Sequence, residues 1–427
     1  MESWPFLLLA DIVQDFHYID RKGFRMVKCR RQQAYGCGPN GDAIVRGLAL
    51  YVRLGAADDP YESPKLCLYY SDEVFDRVGS EIDDRNAELY GRDLRCSCRI
   101  CTVDGNVMVL CVSFMASFCS ADFRSYYLVY DSAAASLSLL PRLPTGCRPV
   151  CTESPLVLKV GDEDKCSQLV LMADRSVRTA SKYTHPVLCL SSPSPPSPDH
   201  NGLNYNSKRV WVLKGRVGVN AFPNSFEANV LFLFKGNAAW GDLAQGILYC
   251  DCSHLIDSTD PVPFKHIMLP EECMISSEDL DVLDRCSLGV HRTMGCVGDS
   301  IWFVIIEPTF TRPGDTRVKV WTLDLLSKEE KWNLHNDFKM LELFSREQGH
   351  PKTVPKFPMF IQQADCGLYM LLPEIYTGGK AYGHLLCIDL RSSCEPFLMS
   401  NRRLAIPSMN NPVILDRDFF NPLHLAA

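Results

Sequence analysis

Short apolar segments that recur along the chain limit the folds open to this sequence more than any other feature. They are about four to eight residues long, and Gly, Asp, Asn or Pro bounds them. Segments of this length predict β-strands separated by turns, and hence a mainly all-β fold. The clearest are NVMVLCVSF, YYLVYD, QLVLMAD, RVWVLKG, NVLFLFKG, GILYCD, SIWFVIIE, VKVWTLD, GLYMLLPE and HLLCID.

These predicted strands form a loose repeat. A strand that follows a turn, as in CVGDSIWFVIIE, precedes a second strand that ends on an aspartate, and a weaker third strand often follows. The strand-ending aspartates are Asp131, Asp251, Asp324 and Asp389. Because aspartate bonds to nearby backbone and starts turns, we assign these residues a turn role rather than a catalytic one. About five units are present, and the N-terminal region could supply a sixth.

Repeated small sheets at this spacing predict a β-propeller-like fold of about five to six irregular blades with few helices. A sheet of three or four strands buries both faces only when neighbouring sheets stack on it. We expect one such domain over residues 1–427. The best helix candidate is SDEVFDRVGSEIDDRNAELY, residues 71–90. Its apolar residues near one face are Val74, Phe75, Val78, Ile82 and Leu89.

One segment interrupts the strand pattern. Residues 191–208, SSPSPPSPDHNGLNYNSK, have no apolar periodicity, so we expect a flexible loop. The loop holds Ser-Pro pairs at Ser192, Ser194 and Ser197. A plain disordered insertion is one interpretation, and a phosphorylation site that regulates an adaptor is the other.

The composition of the chain indicates which partners it can bind and in which cellular compartment it resides. The formal net charge of −7 disfavours nucleic acid as the main partner, since phosphate-binding proteins usually carry a basic surplus. We expect no secretory signal and no membrane span. Most of the 20 cysteines lie in apolar segments, where cysteine acts as a small hydrophobe. Reduced thiols of this kind indicate a cytoplasmic or nuclear protein.

Candidate chemical sites are few. Two cysteine-rich stretches could hold zinc: one contains Cys96, Cys98, Cys101 and Cys111, and the other Cys250, Cys252 and His254. Cys98 and Cys101 form a single C-x-x-C, but neither stretch has the second C-x-x-C or histidine pair of a structural zinc site, so we expect no metal. The motifs of phosphate loops, dinucleotide sites, nucleophile elbows and metalloprotease helices are missing. We therefore predict no catalytic residues and no cofactor.

A basic stretch, RKGFRMVKCRR, contains six cations and no acid. They are Arg21, Lys22, Arg25, Lys28, Arg30 and Arg31. Such a stretch can be an import signal or a contact patch for an anionic partner. It can also be the solvated face of a strand pair whose charges alternate outward, which is the interpretation that we prefer from the sequence.

The segment AWGDLAQGILYCD, followed by PFKHIMLP and VKVWTLD, resembles the core of the plant proteins grouped as domain of unknown function 1618, which are numerous in grasses. PKLCLYYSD and YYLVYDSAAASLSLLPRLP resemble the N-terminal half of that family, and the family core would span about 238–375. Its signature, Trp-x-Asp before a Gly-Ile-Leu strand, maps onto Trp240, Asp242, Gly246, Ile247, Leu248 and the strand-ending Asp251. The resemblance implies a fold similar to F-box-associated propellers and implies no enzyme.

Our hypothesis is a non-enzymatic protein-interaction module of a plant cell, with a protein partner and neither nucleic acid nor membrane. The signature residues would then be structural, with Trp240 packed between blades. An alternative is an enzyme whose acids or histidines converge in the central funnel of the propeller. A second alternative is the adaptor regulated through the Ser-Pro loop.

Overall fold

The computed structural model describes residues 6–10, 12–54, 64–81, 94–115, 123–141, 147–149, 154–159, 167–175, 186–191, 211–216, 226–257, 262–276, 279, 287–325, 330–344, 352–360, 367–374, 382–390, 397–405, 412–416 and 419–420. Within these ranges the chain is mostly β-strand. None of the described helices is long and apolar enough to cross a membrane.

The strands in chain order are β1 (Phe6–Ala10), β2 (Ile12–Asp15), β3 (Arg25–Met26), β4 (Arg31–Ala34), β5 (Leu48–Arg53), β6 (Lys65–Tyr70), β7 (Arg95–Asp104), β8 (Val107–Met115), β9 (Phe123–Asp131), β10 (Ser136–Pro141), β11 (Cys147–Pro149), β12 (Leu156–Lys159), β13 (Ser167–Arg175), β14 (Pro186–Ser191), β15 (Trp211–Arg216), β16 (Val230–Phe234), β17 (Asn237–Asp242), β18 (Gly246–Asp251), β19 (Lys265–Met268), β20 (Arg292–Val297), β21 (Ser300–Glu307), β22 (Arg317–Leu323), β23 (Trp332–Lys339), β24 (Lys356–Phe360), β25 (Gly367–Pro373), β26 (Tyr382–Asp389), β27 (Phe397–Ala405) and β28 (Pro412–Asp416). The α-helices are α1 (Gly41–Arg46), α2 (Asp72–Glu81), α3 (Cys252–Asp257), α4 (Leu288–His291) and α5 (Met340–Leu343). Three 3₁₀ helices span Phe16–Tyr18, Glu271–Cys273 and Pro313–Asp315.

Five antiparallel four-stranded meanders make up most of the described residues. We name them blade I (β7–β10), blade II (β12–β15), blade III (β16–β19), blade IV (β20–β23) and blade V (β24–β27). The first strands of blades II to V contact one another in sequence order, and β28 contacts β7. β1 pairs antiparallel with β28, which brings the N-terminal and C-terminal strands together. The propeller-like all-β fold predicted from the strand repeat is confirmed, and each of the ten apolar segments contains a strand.

Apolar clusters fill the spaces between successive blades, and the sequence of β21 shows why its apolar run is continuous. Ile301, Phe303 and Ile305 pack in the cluster shared with blade III. The alternate residues Trp302, Val304 and Ile306 pack in the cluster shared with blade V. Successive side chains of a strand point to opposite faces, so a strand buried on both sides needs apolar residues at every position. Similar clusters join blade I to II and blade II to III.

The N-terminal region extends blade I instead of forming a separate blade. The combined sheet has nine strands in the order β3-β5-β6-β2-β7-β8-β9-β10-β4. Its core is a distinct apolar cluster against which helices α1 and α2 pack. Helix α2 confirms the predicted helix over Asp72–Glu81, with Val74 and Val78 fully buried. Residues 82–90 of that prediction lie outside the described part of the chain, and so do Ser192, Ser194 and Ser197.

Candidate binding surface

The signature residues of the segment 239–251 lie inside blade III and at its turns. Trp240 is fully buried in the cluster between blades II and III, with its ring centroid 5.5 Å from that of Phe264. Ile247 and Leu248 are also fully buried, and they point to opposite sides of β18, into the clusters shared with blade IV and blade II. These three side chains contribute packing to the propeller.

The two signature aspartates and the glycine shape turns. The Asp242 carboxylate is almost fully buried and accepts hydrogen bonds from the backbone N–H groups of Ala244, at 2.8 Å, and Glu227, at 2.9 Å. The exposed Asp251 accepts from the N–H of Ser253 at 2.7 Å, as expected for a strand-ending turn. Gly246 has a φ of +157°, and a Cβ there would lie 2.3 Å from the carbonyl oxygen of Ile267. This close approach explains the glycine at the start of β18.

Twelve described cysteines are free thiols, and the two cysteine-rich stretches do not assemble a metal site. Cys98 and Cys111 are buried in neighbouring strands β7 and β8. Burial raises the pKa of the Cys252 thiol to about 11, which keeps it protonated near neutral pH. No group of three or more His, Cys, Asp or Glu side chains suited to a metal ion occurs among the described residues.

The first strands of blades II to V carry few ionisable side chains. β12, β16, β20 and β24 contain no Asp, Glu or His. Asp104, at the end of β7, lies near Cys296 of β20. The pKa of the Cys296 thiol is raised mainly by burial and further by the negative charge of Asp104. The acids and histidines that an enzyme in the central funnel requires are therefore not supplied by these four strands.

A cavity of about 360 Å³ lies at the edge of blade IV, lined mainly by apolar side chains together with His291, Arg292 and Glu307. The Arg292 Nη1 donates to the carbonyl oxygens of Leu243 and Cys273, both at 2.8 Å. Burial lowers the pKa of His291 and so favours its neutral form. Because its guanidinium is committed to two backbone carbonyls, Arg292 ties blade III to blade IV.

The six cations of the basic stretch are all exposed, and together they form what we call the basic surface: Arg21, Lys22, Arg25, Lys28, Arg30 and Arg31. Only Arg25 and Arg31 lie in strands, β3 and β4. From the sequence we expected these charges to alternate along a pair of strands. Instead, most of them follow the irregular segment between the 3₁₀ helix Phe16–Tyr18 and β4. None of the six side chains forms an ion pair with another described residue.

The basic surface is anchored to the sheet below it. Val27 is buried in the middle of the segment, and its N–H donates to the carbonyl of Leu50 at 2.9 Å. The N–H of Arg30 donates to the carbonyl of Ala135 at 2.7 Å. These two contacts fix the segment at both sides of Lys28, so the cationic side chains project from a held backbone.

Aromatic side chains lie beside Arg21, at one end of the basic surface, on the outer face of β5 and β6, which is the face opposite the core. Phe16 stacks on Tyr51 with ring centroids 4.0 Å apart. The Arg21 guanidinium lies 5.1 Å from the Phe16 ring centroid, and the guanidinium of Arg53 lies 5.0 Å from that of Phe24. Guanidinium groups stacked on rings are attracted by the ring quadrupole, which orients them before a ligand arrives.

A second cavity, of about 440 Å³, lies at the other end of the same outer face, where α1 ends and α2 begins. We call it the α1–α2 cavity, and its walls include Arg46, Ala49, Tyr69, Ser71 and Arg77. The sequence analysis did not find it, because its walls come from two helices and two strands that no local pattern connects.

Comparison with known proteins gives a family match over part of the chain. Residues 240–369 match the family described as "Protein of unknown function (DUF1618)". No curated protein matches the chain. The matched range begins at Trp240 in β17 and ends in β25, so it covers part of blade III, all of blade IV and part of blade V.

Solved structures share only remote similarity. A levansucrase variant from B. megaterium is 8% identical with a TM-score of 0.30, covering 73% of this chain and 86% of the levansucrase. PorZ of Porphyromonas gingivalis is 8% identical with a TM-score of 0.29, covering 90% of this chain and 39% of PorZ. An exo-beta-1,3-galactanase homologue from Bifidobacterium bifidum is 9% identical with a TM-score of 0.23, covering 75% of this chain and 92% of that chain. Similarity at this level transfers no activity to the protein.

Proposed function

We propose that this protein is a binding module whose basic surface takes an acidic segment of a partner protein. The observation that carries the proposal is the exposure of all six cations of the basic surface without ion pairs to other described residues. Unpaired surface charges attract a complementary partner and accelerate its association.

The charge distribution makes this surface distinct from the rest of the protein. Residues 21–31 hold six of the 44 Lys and Arg residues, whereas the whole chain carries a net charge of −7. Outside residues 21–31, 44 − 6 = 38 Lys and Arg residues are outnumbered by 51 Asp and Glu residues, so the rest of the chain carries a net negative charge that disfavours an acidic partner. This contrast favours one docking orientation, since like charges elsewhere disfavour the wrong contacts.

Three finer statements belong to the same proposal. The family match over residues 240–369 supports membership in the DUF1618 family. That this is a plant family with propellers similar to F-box-associated ones is part of the proposal. Buried and half-buried free thiols support a reducing cytoplasmic or nuclear compartment. In this proposal the partner binds to the basic surface, which performs no catalysis, and not to a site in the central funnel.

A charge-swap variant tests the proposal. A fluorescent peptide rich in Asp and Glu is titrated with the wild-type protein and with a variant carrying Arg25→Glu, Lys28→Glu and Arg30→Glu. We expect the variant to lose at least roughly tenfold in affinity, since several favourable charge contacts become repulsive. The wild-type affinity should fall as salt rises, because ions screen exposed charges.

A matched control variant swaps three exposed cations elsewhere, with Arg312→Glu, Lys331→Glu and Lys352→Glu. It changes the net charge by the same amount, so it should retain most of the affinity. Equal losses in the two variants would show that only the overall charge matters, and no binding by the wild-type protein would refute the proposal.

A further inference from the structure

We propose that the α1–α2 cavity receives a phosphorylated side chain of the same acidic partner segment. This inference rests on the proposed function, because it assigns the cavity and the basic surface to one bound peptide. The cavity lies at one end of the outer face of β5 and β6, and the Arg21–Lys22 part of the basic surface lies at the other end, where Arg53 donates to the carbonyl oxygen of Lys22.

A glycine creates the close approach of the two helices that bound the cavity. Gly47 follows α1, and its carbonyl accepts a hydrogen bond from the N–H of Ser71 at 3.0 Å, just before α2. A Cβ at this position would lie 2.4 Å from the Val74 Cγ2 and 2.7 Å from the Ser71 Oγ. The junction is thus fixed by a backbone hydrogen bond and by the missing side chain, and the cavity between the helices has firm walls.

Two guanidinium groups and one carboxylate set the charge of the cavity. The wall contains Arg46, Arg77 and Glu73, which sum to one net positive charge. Glu73 binds Arg77 at 2.6 Å, and Arg77 also donates to the Asn40 side chain at 3.2 Å. Arg46 is exposed and pairs with no described residue. Arg77 is therefore held in place, and Arg46 is available for an incoming anion.

Size and composition favour a phosphorylated side chain over a simple carboxylate. A volume of about 440 Å³ exceeds what a carboxylate needs, and the wall combines Ala43, Ala49 and the Tyr69 ring with the guanidinium groups and Ser71. Guanidinium forks match the geometry of phosphate oxygens. The apolar wall can contact the carbon atoms of the side chain that bears the phosphate.

Nucleic acid fits these features less well. Phe16 is only 6% exposed and stacks on Tyr51, so neither ring offers an open face on which a base can stack. A single cavity open to solvent also differs from the continuous basic groove that follows a nucleic-acid backbone. With a net charge of −7, the protein repels a long polyanion beyond the basic surface.

The register of β5 and β6 relates the cavity to the basic residues. Ala49 of the cavity wall lies opposite Tyr69, and Arg53 lies opposite Lys65 at the other end of the strands. Four residues of extended strand separate Ala49 from Arg53, which is about 13 Å. Phe16 and His17 cover Tyr51 and Tyr69 between the two ends, so an extended peptide that passes over these residues would place acidic residues about four positions from its phosphorylated residue.

The experiment compares three probes by fluorescence anisotropy with the full-length protein. The first probe is a peptide that carries phosphotyrosine or phosphoserine with a Glu cluster about four positions away. The second is the same peptide with Glu in place of the phosphorylated residue, and the third is a single-stranded RNA of similar length. The variants are Arg46→Gln, the conservative Arg46→Lys, and the matched control Arg312→Gln, which removes one exposed charge in blade IV.

We expect the wild-type protein to bind the phosphopeptide roughly tenfold or more tightly than its Glu twin, as a charge-assisted phosphate contact provides. Arg46→Gln should abolish this difference, Arg46→Lys should restore part of it, and Arg312→Gln should leave it unchanged. Equal binding of both peptides by the wild-type protein would refute the cavity inference while the proposed function stands. If neither peptide binds, both are wrong, and tighter binding of RNA than of either peptide would show that the partner class is wrong.

Discussion

Replacing Trp240 by alanine tests whether the signature tryptophan is a structural residue. The indole has no exposed surface, and it fills the cluster between blades II and III together with Leu156, Val170 and Leu248. Truncating a buried Trp to Ala removes the transfer free energy of the ring and leaves a cavity. The expected loss of unfolding free energy is about 3–5 kcal/mol. That is a large share of the roughly 5–15 kcal/mol that keeps a domain folded.

A matched Trp240→Phe variant keeps most of the ring packing and removes the indole N–H. The Trp240 Nε1 is buried and has no hydrogen-bond partner among the described residues. Phenylalanine keeps an aromatic ring and removes this unsatisfied donor, so we expect a loss of less than about 2 kcal/mol. Urea denaturation of the three proteins, followed by circular dichroism, measures both differences. A Trp240→Ala midpoint equal to that of the wild type would refute the packing role and suggest that the indole recognises a ligand.

Three further predictions follow from the contacts in blade III and from the thiols. Asp242→Ala leaves the buried N–H of Ala244 and the partly buried N–H of Glu227 without their carboxylate, so it should cost roughly 2–5 kcal/mol in a urea melt. The exposed Asp251→Ala should change stability little, and equal effects of the two variants would contradict the difference in burial. Gly246→Ala should lower the melting temperature, because its Cβ would meet the carbonyl of Ile267 at 2.3 Å; an unchanged melting temperature would contradict this. Burial raises the pKa of Cys67 to about 12, so this thiol should react slowly with a thiol reagent at pH 8 in the native protein. After unfolding without reductant, all 20 thiols should react with the reagent, and a smaller number would indicate disulfides.

The strands were predictable because each blade is buried on both faces. Every position of a strand such as β21 must then be apolar, and this produces the continuous runs that the sequence shows. The turns were predictable where an aspartate bonds locally, as Asp131 does to the N–H groups of Ala133 and Ala134. The burial of the Asp242 carboxylate was not predictable, because its second bond reaches Glu227, fifteen residues earlier, and no local pattern indicates that contact.

The nine-stranded sheet and the binding surface depend on pairings that the sequence does not encode locally. β2 pairs parallel with β6 and antiparallel with β7, and β4 pairs parallel with β10. These long-range pairings extend blade I where a sixth unit seemed plausible. The basic residues themselves were visible in the sequence, but the position of Arg21 beside the aromatic rings and of the α1–α2 cavity at the other end of the same face results from the pairing of β5 with β6.

Hydrogen–deuterium exchange with the acidic peptide bound tests most directly where the partner binds. The proposal predicts slower exchange in residues 12–54 and 64–81, which hold the basic surface and the α1–α2 cavity, and unchanged exchange in blades III to V. Arg25→Glu combined with Lys28→Glu and Arg30→Glu should abolish the protection. Protection confined to the first strands of the blades, with none in residues 12–54, would contradict the account and favour a site in the central funnel.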